Sequence, residues 1–130
     1  MKLHADRSNT PVITAHGEGW IAIDGQRHEG DWVLSASGVR HPWQRNNDTP
    51  RTEDFSALSR TDDLPPELVL FGSGPRLTFP HPSALQGLMQ QGIGVETMDT
   101  PAACRTYNIL AAEGRRVVLA LLNPGGAGSV

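Results

Sequence analysis

Polar residues that could share chemistry fall in two short stretches of this 130-residue chain, Gly72-Ser73-Gly74 and Glu96 to Asn108. In the second, Glu96 precedes Thr100, Arg105, Thr106 and Asn108. An arginine one turn into a helix can pair with a carboxylate at the end of a neighbouring strand, or grip an anionic ligand through two parallel N–H groups. A Glu96/Arg105 pocket would suit a small-molecule-binding protein or an enzyme. A buried Glu96–Arg105 ion pair would instead only hold the fold together. Cys104 lies beside Arg105. A lone thiol near a helix N-terminus can be acidified into a nucleophile, but no histidine is close in sequence to activate it, and the role of a small buried apolar residue is simpler. Gly72-Ser73-Gly74-Pro75 fits neither G-x-G-x-x-G nor G-x-x-x-x-G-K-[ST], so it reads as a turn in preference to a phosphate cradle.

No other constellation points to catalysis, a metal or a cofactor. The five histidines (His4, His16, His28, His41, His81) have no H-x-x-x-H or H-x-H spacing, and one cysteine cannot complete a zinc set. Trp20, Trp32 and Trp43 are not interleaved with basic residues, so they belong in the core or on a sheet face and not on a nucleic-acid stacking platform. The net charge of −3 gives no electrostatic reason for a nucleic-acid partner. It arises wholly in residues 1–65 (7 basic, 10 acidic), whereas residues 66–130 balance (4 and 4). With a single cysteine no intramolecular disulfide forms, and the expected compartment is the cytoplasm. The N-terminus carries one lysine with no apolar stretch behind it, unlike a secretory signal. The longest apolar run, Val117 to Leu122, is far short of the ~20 residues a membrane-spanning helix needs.

The elements that must position these residues follow from periodicity. With 38% hydrophobic residues, the chain is one ordinary domain. Val12 to His16, Trp20 to Ile23 and Trp32 to Ala36 read as three early strands, with Asp24-Gly25 as a turn. Thr52 to Leu58 reads as one or two helical turns capped by Thr52, before the Pro65-Pro66 break. Leu68 to Phe71 is a continuous apolar strand, as for a strand covered on both faces. Pro82 opens a helix with Ala84, Leu85, Leu88 and Met89 on one face, closed by Gly92. Ile93 to Thr97 is a strand. Thr100 caps a helix with Pro101 in its first turn, running to Glu113-Gly114. In that helix the buried arc is Ala103, Thr106, Tyr107, Leu110 and Ala111, extended by Ala102 and Ile109, which leaves Arg105, Asn108 and Ala112 polar or exposed. Val117 to Leu122 is the last strand. Two such crossovers place three strands in parallel, and ligands favour the crevice at their carboxyl ends. Residues 1–10 form an N-terminal extension, 11–123 the single α/β domain, and 124–130 a flexible Gly-rich tail.

The stretch from Gly92 to Leu110, with Glu96-Thr97, Arg105-Thr106-Tyr107-Asn108 and the following Glu113-Gly114-Arg115, closely resembles a domain-of-unknown-function family. Leu70-Phe71-Gly72-Ser73-Gly74 shares in the resemblance, with relatives often carrying Thr at the position of Ser73. The family includes bacterial and archaeal proteins of no assigned activity, the mitochondrial complex I assembly factor 3, and an adipogenesis-associated protein with the same domain. The resemblance implies an α/β, three-layer fold: a central mixed sheet with a βαβαβ C-terminal half, and an N-terminal antiparallel β layer. It also implies a non-enzymatic binding or assembly module with a protein partner, linked to respiratory complex I; a homodimer is compatible with it. The family transfers no catalytic residue. Gly72, Gly74, Glu96, Arg105, Thr106 and Asn108 are its family-like positions, and with Ser73 and Thr100 they make the expected ligand-binding set.

Overall fold

The structure, a computed structural model, describes residues 9–125. Most of the proposed N-terminal extension and of the Gly-rich tail therefore lies outside the described residues. The strands are β1 (Ile13–Gly17), β2 (Trp20–Ile23), β3 (Gln26–Glu29), β4 (Trp32–Ser35), β5 (Arg40–Pro42), β6 (Leu68–Gly72), β7 (Gly94–Met98) and β8 (Val117–Leu121). The helices are α1 (Thr52–Ser56), α2 (Gln86–Gln90) and α3 (Thr100–Ala112), with 3-10 turns at Ala57–Arg60 and Pro82–Leu85.

A five-stranded mixed sheet, ordered β5-β4-β8-β6-β7, is the middle layer. Its β7, β6 and β8 are parallel, and β4 runs antiparallel to β8. The antiparallel sheet β1-β2-β3 and helix α3 cover one face. Helices α1 and α2 with their 3-10 turns cover the other. Strand β8 shows why its sequence is apolar without a break. Val117, Leu119 and Leu121 enter the core under α3, while Val118 and Ala120 enter the core under α1 and α2. With both faces covered, the alternation of side chains meets apolar neighbours at every position.

Several expectations shift. The third strand of the antiparallel layer is β3, whereas Trp32–Ser35 joins the central sheet beside β8. Strand β3 is Gln-Arg-His-Glu, polar because it is largely exposed, and it is held as a strand by its register with β2 after the Asp24-Gly25 turn. Asp24 (φ 49°) and Gly25 (φ 86°) both occupy the left-handed region that such a hairpin turn requires. Arg51, not Thr52, is the N-cap of α1, with the Asp54 carboxylate accepting from the Arg51 N–H (2.7 Å). The segment after Pro82 begins as a 3-10 turn, capped by the His81 ring accepting from the Ser83 N–H (3.1 Å). Met89, placed by periodicity on the buried face, is 62% exposed, and Leu88 is the buried residue of α2.

One largely buried ion pair ties together the chain segments flanking β4, β5 and β8. The Arg45 side chain, only 6% exposed, donates to Asp31 (2.6 Å) and to the carbonyls of Trp43 and Asp48. The other Asp31 oxygen accepts from the Asn123 N–H (2.7 Å), which fixes the chain where it leaves β8. A buried guanidinium is tolerated because its donors meet a carboxylate and main-chain carbonyls.

Candidate functional site at the strand ends

Thr100 has the central place where β6 and β7 end, and its role differs from the one periodicity assigns. The cap of α3 is Asp99, whose carboxylate accepts from the Ala102 N–H (2.9 Å). Thr100 is thereby the first residue of the helix, and its hydroxyl is free to work elsewhere. It accepts from the Gly74 N–H (2.8 Å) and donates to the Leu122 carbonyl (2.7 Å), while the Thr100 N–H donates to the Gly74 carbonyl (2.8 Å). Gly72 must be glycine for this approach. A Cβ there would lie 2.9 Å from the Thr100 hydroxyl and 3.1 Å from the Leu121 Cβ. Gly74 has φ +102°, a conformation that side chains rarely adopt.

Ser73 is equally engaged. Its N–H donates to the Met98 carbonyl, its hydroxyl donates to the Arg76 carbonyl (2.7 Å), and that same oxygen accepts from the Thr78 N–H (2.9 Å). Gly72, Ser73, Gly74 and Thr100 thus come together, as the sequence suggests, but the groups named are turned inward on the chain. The loop they anchor pushes two large apolar side chains outward: Leu77 is 53% exposed and Phe79 70%. Phe79 borders a cleft of about 170 Å³ whose walls include Phe55, Phe71, Ser73, Thr78 and Leu122. Periodicity missed Leu77 and Phe79. The signal available was two apolar residues alternating with polar ones in a segment bounded by prolines, too rich in turn residues for either to be core.

The other candidate residues do not converge there. Glu96 and Arg105 are both exposed, and among the described residues no ion pair joins them. The Thr106 hydroxyl donates to the Met98 sulfur (3.3 Å). Asn108 turns to the antiparallel sheet: its Oδ1 accepts from the Ile13 N–H (3.0 Å) and its Nδ2 donates to the Ile13 carbonyl (2.8 Å). This grip rotates the buried arc of α3 toward Cys104 and Asn108, so that Ile109, expected at the arc's edge, is 60% exposed. Cys104 is sealed in the core at 1% exposure, and burial pushes its thiol up to about 12 despite the nearby Arg105 charge. Such a thiol is a packing group and not a nucleophile at neutral pH. The neighbouring Tyr107 is fully buried, its hydroxyl donating to the Pro11 carbonyl (2.8 Å), and burial raises its phenol as well.

Comparison with known proteins agrees with this architecture. A family model described as "Protein of unknown function (DUF498/DUF598)" matches residues 13–122. A Mus musculus protein named NADH dehydrogenase [ubiquinone] 1 alpha subcomplex assembly factor 3 is 35% identical over 124 residues, covering 95% of this chain and 66% of the relative. This chain therefore spans about two thirds of that relative's length. A Francisella tularensis protein named 13 kDa major membrane protein is 35% identical over 118 residues, covering 90% of this chain and 95% of the relative. A crystal structure of a Bordetella parapertussis protein, 36% identical, superposes with a TM-score of 0.79 over 88% of this chain and 96% of that one.

Proposed function

The chain belongs to the DUF498/DUF598 family, and on that premise we propose that it is a non-enzymatic module that binds a protein partner through the loop at the carboxyl ends of β6 and β7. The observation that carries this reading is the exposure of Phe79 and Leu77, 70% and 53%, on a loop whose own polar groups are tied down. A large aromatic side chain beside an apolar cleft, presented on a rigid support, has the make-up of a binding anchor. The polar groups at the strand ends are consumed by Thr100 and Ser73, which argues against a polar ligand cradle at that spot. The name of the mouse relative supports assembly of respiratory complex I as the setting, with a subunit or assembly intermediate as the partner. No helix among the described residues is long and apolar enough to cross a membrane, so in this reading the module meets its partner from the aqueous side.

The test is Phe79→Asp, alone and with Leu77→Ser, in affinity capture of NADH dehydrogenase subunits from a membrane extract solubilised in mild detergent. Because both side chains are exposed, stability should change by no more than about 0.5 kcal/mol. Capture should fall about ten-fold or more, the loss of one anchor residue. Unchanged capture by the folded double variant would remove this loop from the function. A second copy of the chain on the same loop would show instead as a dimer that Phe79→Asp dissociates in sedimentation.

A further inference from the structure

At the opposite end of the parallel strands lies a larger cavity of about 460 Å³, formed where the chain leaving β4, the loop after the 3-10 turn Ala57–Arg60 and the end of α3 meet; its walls include Ser37, Asp62, Leu64, Ala111, Arg115 and Arg116. We propose that this cavity binds a small zwitterion, with its ammonium at Asp62 and its carboxylate at Arg115 and Arg116. Asp62 is built into its wall: its Oδ1 accepts from the hydroxyls of Ser35 (3.0 Å) and Ser37, and Ser35 is fully buried. Those contacts orient the carboxylate, yet Asp62 belongs to no ion pair among the described residues. At the other pole, Arg115 and Arg116 share one carboxylate. Glu67 meets Arg115 at 2.8 Å and Arg116 at 3.7 Å, and both guanidinium side chains stay about half exposed. Glu113 is close enough to act on Arg115 through space but does not line the cavity.

The cavity wall carries Asp62 at one pole and Arg115 and Arg116 at the other, with Glu67 outside the wall offsetting one of the two arginines, and among the described residues no ion pair joins the poles. A purely anionic or purely cationic ligand would leave one pole uncompensated, whereas a dipolar ligand satisfies both. Separation of the poles beyond ion-pair distance favours an ammonium and a carboxylate joined by an apolar spacer over an α-amino acid whose charges are adjacent. Leu64, 64% exposed, and Ala111 supply the apolar surface on which that spacer would rest. The ligand class is therefore an ω-amino carboxylate or the like-spaced termini of a short apolar peptide. This site is remote from the Phe79 loop, so it stands or falls independently of the binding function proposed there.

The experiment is amide chemical-shift titration of the full chain with 6-aminohexanoate, hexanoate and hexylamine. Saturable shifts at Ser37, Leu64 and Gly114 are expected with 6-aminohexanoate, with hexanoate and hexylamine each weaker by about ten-fold or more. Asp62→Asn should erase the preference for 6-aminohexanoate over hexanoate, and Arg116→Gln its preference over hexylamine. Because Asp62 supports two serines, its variant could lose the fold; Arg116, more than half exposed, keeps the test decisive. The proposal is overturned by the lack of a saturable response, by hexanoate binding as well as 6-aminohexanoate, or by a folded Arg116→Gln protein that keeps both preferences.

Discussion

Thr100 and Gly74 hold each other twice, hydroxyl to N–H and N–H to carbonyl, each at 2.8 Å, across 26 residues of sequence. Replacing Thr100 with the isosteric Val removes only the hydroxyl and leaves a buried Gly74 N–H and the Leu122 carbonyl without it. Each such orphaned group costs about 1–3 kcal/mol. Thr100→Val should therefore lose about 3 kcal/mol in urea unfolding, while Thr100→Ser, which keeps the hydroxyl, should lose about 1 kcal/mol for the methyl. Equal losses in the two variants would show that packing, and not the hydroxyl, fastens the strand ends.

Asn108 should govern how firmly the antiparallel layer is attached. Its amide supplies both main-chain hydrogen bonds of Ile13 from the side of α3. Asn108→Leu preserves bulk and abolishes both, at an expected cost of about 1–3 kcal/mol. The diagnostic is local. Amide hydrogens of β1 and β2 should exchange faster relative to those of β6 and β8, since loosening one layer lowers its own opening energy first. A uniform change across all strands would count against the attachment role.

The buried thiol gives a pH dependence with a definite sign. Cys104 is raised from 9.0 in the unfolded chain to about 12 in the folded one. The stability from burying the neutral thiol is complete below pH 9 and is lost as the pH rises toward 12, because the unfolded chain ionises first. Its share of the slope is up to about 1.4 kcal/mol per pH unit. Tyr107 is shifted the same way and adds to the decline in alkali. Urea midpoints measured from pH 7 to 11 should fall less steeply in Cys104→Ala than in the parent protein; identical slopes would mean that Cys104 ionises alike in both states.

What the sequence makes legible is whatever a strong period and a punctuating residue announce together. Strand β8 is unbroken Val-Val-Leu-Ala-Leu, and Gly114 ends α3 with φ +83°. Strands β3 and β5 escape notice because they are exposed and polar; partner strands make them, not their own residues. The strand-end site is half legible. Glycine spacing marks Gly72 and Gly74, but the hydroxyl preceding Pro101 looks like a cap, and only the Asp99 carboxylate, placed one residue earlier, shows that it is not. Asn108 appears solvent-facing by helical angle because its true partner, Ile13, lies 95 residues away. Long-range main-chain pairing leaves no local trace in composition or period.

The order of strands in the central sheet bears on how the molecule is made. Strand β8 sits between β4 and β6, yet among the described strands it is the last in sequence and so leaves the ribosome after both. Until it arrives, β4 and β6 have no common neighbour, and their inner edges stand open as templates for unwanted pairing. The sheet therefore closes only after Val117–Leu121 has been synthesised. Nascent chains arrested before Val117 should be the form most dependent on chaperones.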